Sequence, residues 1–237
     1  MNSVVMLNNV DHHDLRVATG YGAAFGDAIN QVLIFPTEFE AVAREYPILF
    51  RREEQGFRAL ALLGLDADEN LFLSGESWDA RYVPAVQHRG PFSIGLQRQA
   101  DGSAPEVKIN VDLAHPRIVP EGGEAVFLPH GGNSPYLDRV IAALAAIHDG
   151  LAINDAMFEA FLAAGLIQPV ALDITLPDSR RYDVPDMFSI AQDVLTGLDG
   201  ASLGRLHRAG FLALAFHVAA SLGTLPALVG RKMAALG

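Results

Sequence analysis

Asp11-His12-His13-Asp14 sets a His-x-Asp pair, His12 with Asp14, close to the start of the chain. An imidazole and a carboxylate at that spacing are the first two ligands of the facial triad that holds non-haem iron, with a further ligand supplied from far along the chain. On that reading the protein is a metal- or cosubstrate-dependent, oxygenase-like enzyme. A solvated loop is the competing reading, because the pair lies beside the N-terminus and no arginine-rich cosubstrate segment follows at a recognisable spacing. Gly20-Tyr21-Gly22, with Gly26, follows a strand-like stretch as a dinucleotide phosphate loop would. Pro36 follows only ten positions after Gly26, too soon for the crossover helix and second strand of a mononucleotide fold, so an ordinary glycine-rich turn is expected. His130-Gly131-Gly132 resembles the oxyanion loop of esterases, yet no Gly-x-Ser-x-Gly nucleophile elbow and no His-Glu-x-x-His accompanies it. Catalytic constellations therefore fail on context.

The densest group of informative residues is Trp78, Arg81, Tyr82, Pro84, His88, Arg89, Pro91 and Phe92. Trp, Tyr and Arg pair broad apolar faces with hydrogen-bond donors, the chemistry that dominates interaction hot spots. Trp78, Tyr82, Arg89 and Phe92 are accordingly expected to bind a partner, together with Asp112 on the polar side of a nearby strand. The opposing reading makes the single Trp a core anchor and Arg89 a clamp on a carboxylate or on loop carbonyls, with Asp112 either its partner or solvated. His207 and His217, ten residues apart across a glycine, do not share a helical face.

The elements that must position these residues are short at first. Strands are expected over 15–19 and 32–35, then a helix over 38–44 capped by Thr37 and ended by Pro47. Apolar runs at 57–63 and 71–73, separated by Gly64 and polar residues, suggest a hairpin with one face buried. A further strand is expected at 92–97. Residues 107–113 alternate, so that Val107, Ile109, Val111 and Leu113 share one face that belongs in the core. The Pro- and Gly-rich stretch that follows carries at most a short strand at 125–128. Ser134-Pro135 opens a helix, Asn154 is read as the cap of a second one, and Gly165 supplies a left-handed stop. A strand over 170–176 and a turn over 177–180 precede three short C-terminal helices broken near Gly210 and Gly223. Strands first and helices later, without a β-α-β rhythm, make the class α+β, with a short-stranded, mostly antiparallel sheet in the N-terminal half.

Composition narrows the functions. With 17 Lys+Arg against 28 Asp+Glu, the net charge of −11 argues against nucleic acid. Half of the 237 residues are apolar, enough for a sizeable core and against disorder. The absence of cysteine removes disulfides, thiolate nucleophiles and thiolate metal sites. No secretory signal is read in the first ten residues, and a cytoplasmic location is expected. Residues 209–230 carry no Asp, Glu, Lys or Arg, but Gly223-Thr224-Leu225-Pro226 reads as a helix stop and restart, so two core helices are expected there and not a membrane span.

Several strings are familiar in order and spacing: Tyr46-Pro47-Ile48-Leu49-Phe50, Ala61-Leu62-Leu63-Gly64-Leu65, Asn70-Leu71-Phe72-Leu73, Trp78 with Tyr82-Val83-Pro84-Ala85, Arg89-Gly90-Pro91-Phe92, Glu121-Gly122 with Phe127, residues 162–169, and Ser221-Leu222-Gly223. Together they resemble the SapC family over most of the chain. Gly90 stands where the family's string has an aromatic, which bears on the packing of that loop. The resemblance implies a role near surface-layer proteins or transport, and companionship with TonB-dependent receptors, and it supplies no catalytic residues. The expectation is a single SapC-like domain over 1–237, strand-rich over 15–130 and helix-rich over 134–237. The expected role is that of a non-catalytic accessory protein, without a cofactor, that binds a protein or peptide. A scaffold subunit of a homo-oligomer is a third reading.

Overall fold

The computed structural model describes residues 3–97, 106–176 and 179–237. Strands β1 (Val4–Met6), β2 (Arg16–Val17) and β3 (Gln31–Ile34) lead to the short helix α1 (Phe39–Val42). Strands β4 (Ile48–Glu53), β5 (Gly56–Leu62), β6 (Leu73–Ser74) and β7 (Ser77–Trp78) precede the single turn α2 (Ala85–His88). Strands β8 (Phe92–Gln97), β9 (Glu106–Asp112), β10 (Ile118–Val119) and β11 (Glu124–Ala125) then give way to the long helix α3 (Pro135–Ala163). Two longer strands, β12 (Ile167–Thr175) and β13 (Arg181–Ile190), are followed by α4 (Gln192–Thr196), α5 (Gly200–Arg208), α6 (Phe211–Ser221) and α7 (Leu225–Leu236). The class is α+β, with antiparallel sheets and most strands in the N-terminal half.

The largest sheet has the order β12-β13-β4-β5-β3. Ala59, Leu60, Ala61 and Leu62 of β5 are all buried. Because consecutive strand residues face opposite ways, this sheet is covered on both faces, not on one. The hairpin partner of β5 is β4, through a two-residue turn that pairs Glu53 with Gly56, and β3 flanks its other side, while of the expected partner at 71–73 Leu73 belongs to the small β6-β7 ladder. β13 holds Pro185, which cannot donate to a ladder. It is tolerated because Pro185 and Asp186 bulge opposite Ala171, between the pairs Leu172↔Val184 and Val170↔Met187.

Two hydrophobic clusters form, and α3 reaches both. Its N-terminal half gives Tyr136, Leu137, Val140 and Leu144 to a cluster with Val17, Phe92, Val111 and Phe127. Its C-terminal half gives Met157, Phe158 and Phe161 to the main cluster around the large sheet. The helix opens as expected, with the Ser134 hydroxyl accepting the Leu137 N–H at 3.2 Å, and Gly165 at φ +66° follows its end. It is one helix, however, and not a pair. Asn154 is a buried mid-helix residue whose amide reaches Asp155, and apolar residues on both sides of it hold the helix to the two clusters. The alternating strand is also only partly covered: Val111 is buried and Ile109 packs on the second cluster with Ile94, but Val107 and Leu113, toward the strand ends, are exposed.

Thr37 does not cap a helix. Pro36 to Glu38 form a 3-10 turn before α1, and the Thr37 hydroxyl donates to the Ala146 carbonyl of α3 at 2.7 Å. This contact needs Gly150, where an added Cβ would lie 2.5 Å from Phe35 Cβ and 2.8 Å from Thr37 Oγ1. Alanine normally gains about 1 kcal/mol over glycine within a helix, but the root of the buried Phe35 side chain and the hydrogen-bonded Thr37 hydroxyl stand in the way here, and overpacking costs about 1–3 kcal/mol. Gly150→Ala is therefore expected to lower the denaturation midpoint; a raised midpoint would show that α3 does not press on Phe35.

The expected turn over 177–180 falls partly outside the described residues. Breaks at Gly210 and at the 3-10 turn over 222–224 separate α5, α6 and α7 as expected. The stretches Pro135–Ala163 and Phe211–Leu236 are long and apolar enough to cross a membrane by length and composition alone. In this fold the second seats Ala215, Val218, Ala219 and Leu228 in the main core and buries Lys232, whose ammonium donates to Asp66 and Glu69.

Candidate functional site

The segment after β7 is held by a chain of hydrogen bonds that starts in the core. The Trp78 indole N–H donates to the Tyr46 hydroxyl at 2.8 Å, and that hydroxyl donates to the Tyr82 carbonyl at 2.6 Å. The Tyr82 hydroxyl donates to Glu38 Oε1 at 2.8 Å, which also accepts the Ala85 N–H at 2.7 Å, while Glu38 Oε2 accepts the Phe35 N–H at 3.0 Å. Burial pushes the Glu38 carboxyl above the usual range, and the three donors oppose that rise. Arg89 ends the segment by donating to the Phe92 carbonyl, the loop clamp of the opposing reading.

This segment forms one wall of a cleft whose other wall is α3. An outer pocket of about 420 Å³ is bounded by Arg81, Tyr82 and Val83 on one side and by Ala142, Ala143 and Ala146 on the other. It adjoins an inner pocket of about 150 Å³ formed by Thr19, Tyr21, His88, Arg117 and Tyr136. Tyr21, His88 and Arg139 border both. The cleft exists because α3 carries alanines between the two clusters it serves. Arg139 lies across its rim, 3.0 Å from both carboxylate oxygens of Glu124. On the other side of α2, Val86 and Arg89 face an apolar groove of about 440 Å³ with Ile94, Leu144, Ile147 and Leu151.

The inner end is built on a buried ion pair. Arg117 and Asp27 are 2.7 Å apart, with side chains 5% and 1% exposed. Arg117 also donates to the carbonyls of Ala18 and Gly20 and lies over the rings of Phe25 and Tyr21, at 4.5 and 5.2 Å. Asp27 accepts the Gly22 N–H at 2.8 Å. The glycine-rich turn thus does hold an anion, but the anion is the chain's own carboxylate.

The residues singled out in the sequence are not gathered on one surface. The Trp78 ring lies in the main core, 8% exposed, with its edge to Tyr21 at 5.4 Å between centroids. Phe92 is fully buried in the other cluster. Tyr82 borders the cleft, and half-buried Arg89 borders the groove, where burial lowers its guanidinium pKa. Asp112 accepts from the Ser3 hydroxyl and the Ala114 N–H, which hold its carboxyl below the usual range. His12 is buried with Nδ1 3.1 Å from the Asn8 backbone, in a turn organised by the Asn8 side chain, and Asp14 is exposed. Among the described residues no three His, Asp or Glu side chains come together in a group that could hold a metal, so His12 and Asp14 meet no third ligand there.

Sequence reasoning missed Tyr21, Arg117, Tyr136 and Arg139. The last two had a signal, since Tyr136, Arg139, Ala143 and Ala146 recur at helical spacing and mark one polar and small face of an otherwise apolar helix. Arg117 had none. Gly90, at φ +53°, takes its place beside the inner pocket, where a Cβ would meet Arg117 Cδ at 3.5 Å and the Tyr136 hydroxyl at 3.6 Å.

A family model described as SapC matches residues 7–228, which include both walls of the cleft. No curated protein matches the chain, and no solved structure does.

Proposed function

The chain belongs to the SapC family, and from that premise we propose that it is a non-catalytic accessory protein which binds a protein or peptide partner, in the cytoplasm, within a bacterial surface-protein or TonB-dependent uptake system. The cleft carries this reading. Its outer pocket combines tyrosine and arginine rims with an alanine floor, the mixture of broad apolar faces and directed donors that recognises polypeptide. The net charge of −11 favours a partner with a basic surface and speeds its approach at low salt.

The test places a photo-crosslinking residue at Arg81, on the exposed rim, in the native cell, with a control at exposed Phe216 on α6. A partner attached at position 81 and lost when Ala142→Trp fills the cleft supports the reading. Ala142 is exposed on α3, so this change is expected to move stability by no more than about 0.5 kcal/mol. Adducts that form equally at Phe216, or that survive Ala142→Trp, would overturn it.

A further inference from the structure

We infer that the inner pocket is a seat for a carboxylate group, and that a polypeptide lying in the outer pocket anchors its C-terminal carboxylate there. The inference rests on the cleft being the partner site.

Size comes first. About 150 Å³ accommodates a carboxylate and the first atoms of its stem, and the alanine-floored outer pocket continues from it with room for an apolar side chain. Gly90 keeps the pocket open beside Arg117 and Tyr136.

Donors come next. The Tyr21 and Tyr136 hydroxyls and the His88 ring border the pocket and make no hydrogen bond to another described residue. Tyr136 is buried as a residue, whereas Tyr21 and His88 are half-buried, so all three groups are free to turn to a ligand. Three donor-bearing side chains that border one small space suit the two oxygens of a carboxylate, which accept several hydrogen bonds and donate none.

Charge decides between a neutral and an anionic ligand. The charged groups that act on His88 are Arg139 and Arg117; after burial itself they are what lower its proton affinity. At Tyr21 and Tyr136 the carboxylates of Asp27 and Glu124 oppose the two arginines, so a net positive charge at the pocket depends on Arg139 leaving Glu124. Burial and the arginines hold His88 toward its neutral form. Asp27 already neutralises Arg117. Arg139 is different, because its pair with Glu124 is about half exposed on both sides, and such pairs contribute little and exchange readily. One exchangeable cation with three neutral donors matches a single negative charge better than a phosphate dianion.

The test is a titration followed by NMR of histidine-labelled protein, with N-acetyl-leucine, its amide N-acetyl-leucinamide, and N-acetyl-aspartic acid α-amide as probes. The expected result is binding of N-acetyl-leucine at about 1 mM, the range open to so small a ligand, with His88 resonances perturbed and the amide at least about tenfold weaker. Tyr136→Phe, which removes one hydroxyl and keeps the ring, should weaken the acid roughly five- to tenfold and leave the amide unchanged. The bound anion favours protonated His88, so its pKa rises on saturation and binding tightens as pH falls toward 6. Tighter binding of the aspartic acid α-amide than of N-acetyl-leucine would keep the carboxylate seat and overturn the assignment to a chain terminus. Equal binding of acid and amide, or an unmoved His88, would overturn the seat itself. A crosslinked partner at Arg81 with no response to carboxylates removes only this inference, whereas carboxylate binding without a crosslinked partner removes the reading on which it rests.

Discussion

Arg117→Met is expected to lower stability by about 3–5 kcal/mol, the cost of leaving a buried charge without its partner, and to shift the thermal midpoint down by roughly 6–20 °C for a chain of this size. The guanidinium ties together the Ala18 and Gly20 carbonyls, Asp27, and the faces of Phe25 and Tyr21. Without it the glycine-rich turn loses its centre and the inner pocket loses a wall. Asp27→Asn, which strands the arginine charge instead, is expected to cost a similar amount. The double variant Arg117→Met, Asp27→Asn should lose clearly less than the sum of the single changes, because neither charge is then buried alone. Differential scanning calorimetry of the four proteins decides it. Single variants that melt within about 2 °C of the wild type would show that the pair does not hold this layer.

Trp78→Ala is expected to cost about 3–5 kcal/mol as a large-to-small change in a packed core. It removes the edge contact with Tyr21 and the donor to the Tyr46 hydroxyl, and so loosens the chain of hydrogen bonds that runs through Tyr82 to Glu38. Trp78→Phe keeps most of the bulk and loses the N–H, a change of about 1 kcal/mol. Arg89→Ala leaves a folded protein, since the side chain is half buried and its loss removes a hydrogen bond to one carbonyl. A failure of Trp78→Ala to capture a partner would then follow from unfolding, which a urea midpoint measured on the same sample reveals. A Trp78→Ala protein with wild-type stability would show instead that the ring is free for recognition.

These two side chains show how far the sequence could be read. Trp78, Tyr82, Arg89 and Phe92 carry the composition of a recognition surface within fifteen positions, yet a strand end, Pro84 and a helical turn send them in different directions. Tyr82 reaches the cleft and Arg89 the groove, while Trp78 and Phe92 go into separate clusters. β4 was illegible because its three apolar residues are followed by three charged ones and show no alternation. β13 was hidden by Pro185 and by charges that its bulge accommodates.

By itself the sequence determined the α+β class, the start of α3 at Ser134-Pro135, the stop at Gly165, the break at Gly210 and the family to which the chain belongs. Each of these rests on signals that act within a few residues: a hydroxyl that caps the nearest free N–H, a glycine that accepts a left-handed backbone, and short strings kept in order. Only the tertiary structure decided the pairing of β4 with β5 and β13, the fusion of two expected helices into one, and the cleft. It also brought Arg117 to Asp27, 90 residues away. A charge, a ring or an unfinished strand edge states that it needs a partner and leaves the partner's identity open. That choice is made when distant segments compete to bury the same surface, and no local pattern records which of them wins.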